Sequence, residues 1–565
     1  MNSSALKART GGQILVDQLR IHGVDMAFGV PGESYLAVLD ALHDANSIRY
    51  VICRQEGGAA MMADAYGKLT GRPGICMVTR GPGATNASAG VHVAFQDSTP
   101  LILLIGQVAR DATEREGFQE IDYRRMYGQM AKWVAEIDDA ARIPEFISRA
   151  FYTAMSGRPG PVVLALPEDM LTSFAEVADA EPYQQVQSAP GEDALAALRD
   201  MLEQSKQPLV IVGGSGWSIE ACADLRLFVE NFDLPIGNSF RCQDLFDNNH
   251  DNYVGDVAIG INPKLAQRVR DADLLLVLGA RLGEMTTSGY SLVDIPTPKQ
   301  KLVHIYAGAD ELGRVYQPAL GIVASMRGAA GALAKLPPPA AKPWSALRQA
   351  ARQDYLDWTK PTQNPGPVQM AQVIAWLRDH LPEDAILTNG AGNYATWVHR
   401  FYRHRRFRTQ LAPTSGSMGY GLPAAVAAKL VHPERMVIAF AGDGCLQMTM
   451  QEFGTACQHD AKIILIVVNN GMYGTIRMHQ EREYPARVSG TELRNPDFVA
   501  WAKSYGAVGW KVERTEDFAA AFDRARRATT PAVIEIRLDP EAINPRTTLS
   551  AIRQTAQTAA ITAKK

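Results

Sequence analysis

Three features predict an α/β protein made of three domains, each built on a doubly wound parallel sheet. Short apolar runs recur along the whole chain, among them GICMVT, PLILLIG, PVVLAL, PLVIVG, DLLLVLG, MVIAFAG and IILIVVNN. Continuous Val/Ile/Leu runs that end in Gly or Asn are those of strands buried on both faces, and helical patterns alternate with them. Two polar, Pro-containing stretches, DAEPYQQVQSAPGEDA (179–194) and AKLPPPAAKPW (334–344), read as linkers. The first and last blocks also echo one another: each has a strand, a Gly-X-Gly turn (Gly81-Pro82-Gly83 or Gly442-Asp443-Gly444), a helix, a short acidic turn and a strand. The expected domains are 8–178, 192–336 and 362–545, with related outer domains flanking a third.

The remaining gross properties narrow the partners. A hydrophobic content of 46% and a charged content of 21% are those of a globular protein. The formal charge of -3 gives no electrostatic basis for binding nucleic acid or an anionic membrane. Cys53, Cys76, Cys222, Cys242, Cys445 and Cys457 are scattered, with no CxxC pair, which fits a reducing compartment. The N-terminal MNSSALKARTGGQILVDQLRIHGV has no secretory apolar core, and no apolar run reaches the roughly 18–20 residues of a membrane span. The cytoplasm is the expected location.

The strongest chemical signal lies in the last block. GDG (442–444) is followed after 24 residues by NN (469–470), and both end apolar strands. The carboxyl ends of neighbouring parallel strands face one crevice, so Asp443 and Asn470 can converge. A carboxylate and an amide carbonyl are hard oxygen ligands suited to Mg²⁺ or Ca²⁺. The helix beginning near Cys445 would aim free N–H groups at an anion. A divalent cation beside a helix N-terminus makes a diphosphate site.

With these motifs the chain resembles the thiamine diphosphate enzymes, and most closely the acetolactate synthase (acetohydroxyacid synthase) group. The resemblance runs through GVPG (29–32), RQEGGAAMMADAYGKLTGRPG (54–74), RGPGATN (80–86), FQE (118–120), SGRPGPVVLALPED (156–169), GSMGYGLPAA (416–425) and GDG…NN. It implies a pyrimidine-binding domain first, a central domain, and a diphosphate-binding domain last. It also implies a homodimer or homotetramer, with the cofactor between the first domain of one subunit and the last domain of its neighbour. By the resemblance Asp443, Asn470 and the main-chain carbonyl of Met472 hold Mg²⁺. Ala391, Gly392, Asn393 and Tyr394, with Gly442, Gly444, Cys445 and Tyr473, line the diphosphate. Pro31, Gly32, Pro82, Asn86 and Ser417 contact the cofactor, and Met418 props it in a bent form.

The resemblance gives Glu56 the task of placing a proton on the pyrimidine ring nitrogen, which a carboxyl in a dry pocket can do. The reaction implied is decarboxylation of a 2-oxo acid and carboligation of the remaining fragment to a second carbonyl. The alternative is a non-ligating decarboxylase or a carbon–carbon lyase on the same cofactor. Gln119 of FQE is expected to contact the intermediate or acceptor. His92 lies in a stretch that lines the active site in the family, either as a catalytic or substrate-orienting group or as a structural histidine.

The chain departs from the family in four places. Where typical acetolactate synthases carry Lys in PKD, this chain has Glu168 in LPED. Thr475 and His479 stand where Met and Trp usually line the acceptor pocket. The central block lacks the MHG and DDR stretches that accompany flavin binding, so FAD is not favoured even though Gly213-Gly214-Ser215-Gly216 follows a strand. His399 and His404, in the basic run VHRFYRHRRFR, are expected at the surface or at a subunit contact.

Overall fold

The computed structural model describes residues 7–562. Its framework is three six-stranded sheets, parallel at every pairing. The apolar runs read from the sequence are their central strands.

Across the first sheet the strands run Arg49–Ile52, Met26–Gly29, Gly74–Val78, Leu101–Gln107, Pro161–Pro167 and Trp133–Glu136. Numbered along the chain within the domain, this is the order 2-1-3-4-6-5. The last sheet runs Gln410–Leu411, Ile386–Asn389, Val437–Gly442, Ile464–Asn469, Ala532–Arg537 and Val508–Val512, which is the same order. The echo between the outer blocks is therefore a shared topology. The middle sheet differs: Tyr253–Val257, Ile236–Ser239, Pro208–Val212, Leu274–Leu278, Lys301–Tyr306 and Leu320–Val323 give the order 3-2-1-4-5-6.

In the first domain the apolar face of helix Gly11–Ile21 covers one side of the sheet with helix Ile143–Met155, around Ile75, Met77, Ile102 and Leu164. Helices Glu56–Thr70 and Pro82–Asp97 lie together, both packed on the central strands. Glu56–Thr70 is buried almost throughout, and its Gly and Ala residues let neighbours approach at backbone range. A Cβ on Gly90 would lie 2.4 Å from that of Ala60, and one on Gly74 would lie 1.9 Å from the Ala63 carbonyl oxygen. Small residues in this helix thus serve packing inside the domain.

The segments read as linkers carry no regular structure over 179–190 and 338–342. Trp344, at the end of the second, is fully buried and donates its indole N–H to the carbonyls of Phe232 (3.0 Å) and Asp233 (3.1 Å). None of the six cysteines forms a disulfide. No helix among the described residues is long and apolar enough to cross a membrane.

Candidate active site

In both outer sheets the order reverses between strands 1 and 3, and ligand crevices open at the carboxyl ends of strands on either side of such a point. In the first domain these ends carry Val30-Pro31-Gly32 after Met26–Gly29 and Arg80-Gly81-Pro82 after Gly74–Val78. In the last domain they carry Gly390–Tyr394 after Ile386–Asn389 and Asp443–Cys445 after Val437–Gly442.

Glu56 is the first residue of its helix and is only 9% exposed. The capping bond is made by Gln55, whose side-chain oxygen accepts from the Gly58 N–H at 3.0 Å. Glu56 is therefore not spent on the helix end. Its Oε2 accepts from Asn86 Nδ2 at 2.9 Å, and a Cβ on Gly83 would stand 3.3 Å from its Oε1. Asn86, Pro82 and His92 share an exposed face of helix Pro82–Asp97. Gly32 packs on Thr79, 2.5 Å from where its Cβ would be, and Pro31 is exposed beside it.

Gln119 sits in the loop after Leu101–Gln107, half-buried, with φ +66°. It lies against Gly81, itself at φ +59°, where a Cβ would meet the Gln119 Cβ at 2.7 Å. Only glycine accommodates both the left-handed φ and that approach. The loop is tied down by Arg80, whose Nε donates to the Phe118 carbonyl at 2.9 Å. Arg80 Nη1 donates to Glu168 Oε2 at 2.8 Å. The charge reversal at 168 is thus matched by a cation two strands away across the sheet, at the end of Gly74–Val78, a pairing that no local signal in the sequence announces.

In the last domain Asp443 is 2% exposed. Its carboxylate accepts from the N–H of Gly444 (3.0 Å), the N–H of Gly471 (2.9 Å) and Asn495 Nδ2 (2.7 Å). Burial raises its pKa above the usual carboxylate range, against the pull of these donors. The bond from Gly471 brings the GDG and NN turns together as their strand positions predict. Asn470 turns its Oδ1 to the Met472 N–H at 3.3 Å. Asn495 also bonds Asn469 Oδ1 at 2.9 Å; nothing in the surrounding ELRNPDF marks it.

The Gly390–Tyr394 segment is held from several sides. Tyr394 OH accepts from the Gly390 N–H (3.0 Å) and lies 3.3 Å from Cys445 Sγ, which also accepts from the Gly419 N–H at 3.3 Å. The side chains of Tyr394 and Cys445 thus brace the 390–394, 416–419 and 442–445 segments against each other. Asn393 exchanges two hydrogen bonds with Thr475 Oγ1, both at 3.1 Å. Thr475 is therefore committed to the 391–394 segment. His479 is exposed beside Arg482, and burial, with that arginine second, lowers its pKa. Met418 is half-buried against the domain core, with Ser417 beside it.

One expectation is overturned. His404 is 2% exposed, its Nδ1 2.9 Å from Thr409 Oγ1, and burial lowers its pKa to about 3. His399 is half-buried with Nε2 3.1 Å from Asn389 Oδ1, and burial, then nearby Arg241, holds it well below the usual histidine value. The basic run is consumed by packing: Arg400 stacks on Trp358, and Arg405 donates to the Leu381 carbonyl at 2.7 Å.

The residues fit a diphosphate and a hard cation. The N–H groups of Ala391 and Gly392 have no acceptor among the described residues. Asp443 is a buried carboxylate bonded to the N–H of Gly471, the residue after Asn470, so the carboxylate and amide oxygens a hard cation takes come from adjoining turns. A Cβ on Gly444 would lie 2.6 Å from the Tyr473 ring, so the turn is shaped to stay narrow.

A parallel-sheet domain with these free donors, and another with a buried carboxyl at its switch point, define the class: an enzyme working through a diphosphate cofactor. Three family models match the chain. They are "Thiamine pyrophosphate enzyme, N-terminal TPP binding domain" over 9–126, the central domain of the same enzymes over 195–333, and their C-terminal TPP binding domain over 390–536. The acetolactate synthase large subunit of Parasynechococcus marenigrum is 31% identical, covering 95% of this chain and 89% of the relative. Those of Corynebacterium glutamicum (30%; 96% and 88%) and Lactococcus lactis (30%; 91% and 90%) are similar over comparable spans. The chain belongs to the thiamine pyrophosphate enzyme family, and its three α/β domains are the N-terminal, central and C-terminal domains of that family.

Proposed function

We propose that this enzyme decarboxylates a 2-oxo acid and joins the remaining fragment to a second carbonyl compound, as the acetolactate synthase relatives' name describes. The observation that carries the reading is Glu56: a carboxyl buried in the first domain, released from helix capping by Gln55 and oriented by Asn86. When bound, thiamine diphosphate supplies a nucleophilic ring carbon and an electron sink for loss of CO₂. Glu56 would hold a proton at the pyrimidine ring nitrogen, a task suited to a carboxyl that is itself buried. Asn86 fixes which carboxylate oxygen faces that nitrogen. Gln119, pinned by Gly81 and the Arg80–Phe118 bond, reaches the substrate from the side of the first domain. His92, exposed on the helix that carries Asn86, orients substrate or partner rather than acting as a base.

Asp443, Asn470 and the carbonyl of Met472 hold Mg²⁺, and the N–H groups of Ala391 and Gly392 hold the diphosphate. Met418 supports the cofactor. Flavin is possible but not favoured in this reading: Gly213 and Gly214 serve close packing, their added Cβ atoms falling 1.9 Å from Ser239 Oγ and 2.0 Å from the Gly279 carbonyl oxygen. We take the domains as 8–178, 192–336 and 362–545. The working form is a cytoplasmic homodimer or homotetramer whose site joins the first domain of one subunit to the last domain of the next.

The test is a panel of 2-oxo acids with thiamine diphosphate and Mg²⁺, with and without aldehyde or 2-oxo acid acceptors, with products identified. A ligated hydroxy-ketone or hydroxy-acid product supports the reading. Free aldehyde alone, whatever the acceptor, would make the enzyme a simple decarboxylase.

A further inference from the structure

Arg241 belongs to the middle domain, in the turn after strand Ile236–Ser239, yet its guanidinium serves the last domain. It is 9% exposed and has φ +62°. A non-glycine residue in the left-handed region carries a backbone cost and persists where its surroundings demand it. The demand here is geometric. Nη2 donates to the Gly390 carbonyl at 2.9 Å, Nη1 donates to the Pro413 carbonyl, and the guanidinium lies 4.7 Å over the Phe240 ring. One planar fork thus spans two main-chain segments, the first entering the 391–394 turn and the second leading to Ser417 and Met418.

In a trans peptide the C=O of one residue and the N–H of the next point in opposite directions. A guanidinium that fixes the Gly390 carbonyl on its own side therefore turns the Ala391 N–H away from the middle domain. That N–H is without an acceptor among the described residues, as are those of Gly392 and Tyr394. The Gly390 N–H is held by Tyr394 and the Asn393 N–H by Thr475. Arg241 also places a permanent positive charge behind the turn.

We propose that Arg241 is a positioning residue for the cofactor: it sets the Gly390–Ala391 peptide so that the turn presents its free N–H groups to the diphosphate. This rests on the diphosphate site proposed above. Lysine cannot replace it fully, because an ammonium does not reproduce a planar fork aimed at two carbonyls.

The test is titration of thiamine diphosphate and of thiamine monophosphate, each with Mg²⁺, into cofactor-depleted wild type, Arg241→Met, Arg241→Lys and Asp244→Asn, followed by tryptophan fluorescence. Asp244→Asn loosens the same domain seam through the Thr409 and Gln410 N–H groups without touching Gly390. The expected result is a loss of about tenfold or more in thiamine diphosphate affinity for Arg241→Met, a smaller loss for Arg241→Lys, little change for Asp244→Asn, and little change in monophosphate affinity throughout. If Arg241→Met does not fold, the Arg241→Lys comparison with Asp244→Asn decides. Equal diphosphate affinity in wild type and the Arg241 variants, or an equal loss in Asp244→Asn, would overturn the proposal. Failure of the wild type itself to bind thiamine diphosphate would instead overturn the site.

Discussion

At the scale of single residues, Glu168 and Arg80 form a matched pair at a position where the sequence resemblance leads one to expect lysine. Arg80 is almost fully buried and bridges Glu168 to the Phe118 carbonyl, so the loop bearing Gln119 depends on it. Restoring lysine at 168 would set two cations against each other where one carboxylate now neutralises the other strand end. Truncating one partner of a hydrogen-bonded charge pair leaves the other unpaired and costly. Glu168→Lys is therefore expected to lower kcat/KM by roughly tenfold or more, and adding Arg80→Ser should recover part of the loss. Steady-state kinetics on the preferred 2-oxo acid checks this; a gain of activity in the single variant would show that the charge at 168 acts on substrate directly.

At the scale of elements, the pairing of helices Glu56–Thr70 and Pro82–Asp97 sets where Glu56 and Asn86 meet. Gly90 is the contact that fixes their separation. Alanine is intrinsically better in a helix by about 1 kcal/mol, but overpacking costs about 1–3 kcal/mol. Gly90→Ala is expected to lower the melting temperature by several degrees and to weaken turnover by moving Asn86. A rise in melting temperature would show that the helices separate freely. These elements were legible because their signals are local: apolar runs ended by Gly or Asn, and an acidic residue heading a Gly/Ala helix. GDG and NN were legible together because strand polarity alone brings them to one edge. Asn495, Arg80–Glu168 and Arg241 were not, because each acts through a loop whose partner is 52, 88 or 149 residues away. The buried His404 was missed for the same reason: a basic run looks solvated until the carbonyls and rings that absorb it are in place.

At the scale of the whole molecule, the middle and last domains share a seam rich in buried polar groups. Burial raises Asp244, which accepts from the Thr409 and Gln410 N–H groups, to about 6. Within the middle domain, desolvation raises the carboxyl of Asp256, a partly exposed residue that accepts from Asn238 Nδ2 at 2.8 Å, to about 8. A carboxyl whose folded pKa lies above its ordinary value gives stability that is complete below about pH 4 and is lost as pH rises through the folded value. Asp256→Asn should therefore raise the melting temperature at pH 8 and change it little near pH 4. Equal shifts at both pH values, read by calorimetry, would mean that the carboxyl is ionised throughout.

The same scale holds the assembly. If the site joins two subunits, mixing Glu56→Gln with Asp443→Asn should restore about a quarter of wild-type sites in a random exchange of dimer halves. The absence of any recovery after proven exchange would place both residues in one subunit's site. The central claim is that Glu56 activates the cofactor, and the most direct measurement is deuterium exchange at the thiazolium carbon of thiamine diphosphate added to wild type and to Glu56→Gln. The expected result is exchange slowed by at least about a hundredfold in Glu56→Gln with cofactor still bound; exchange at the wild-type rate would contradict the account.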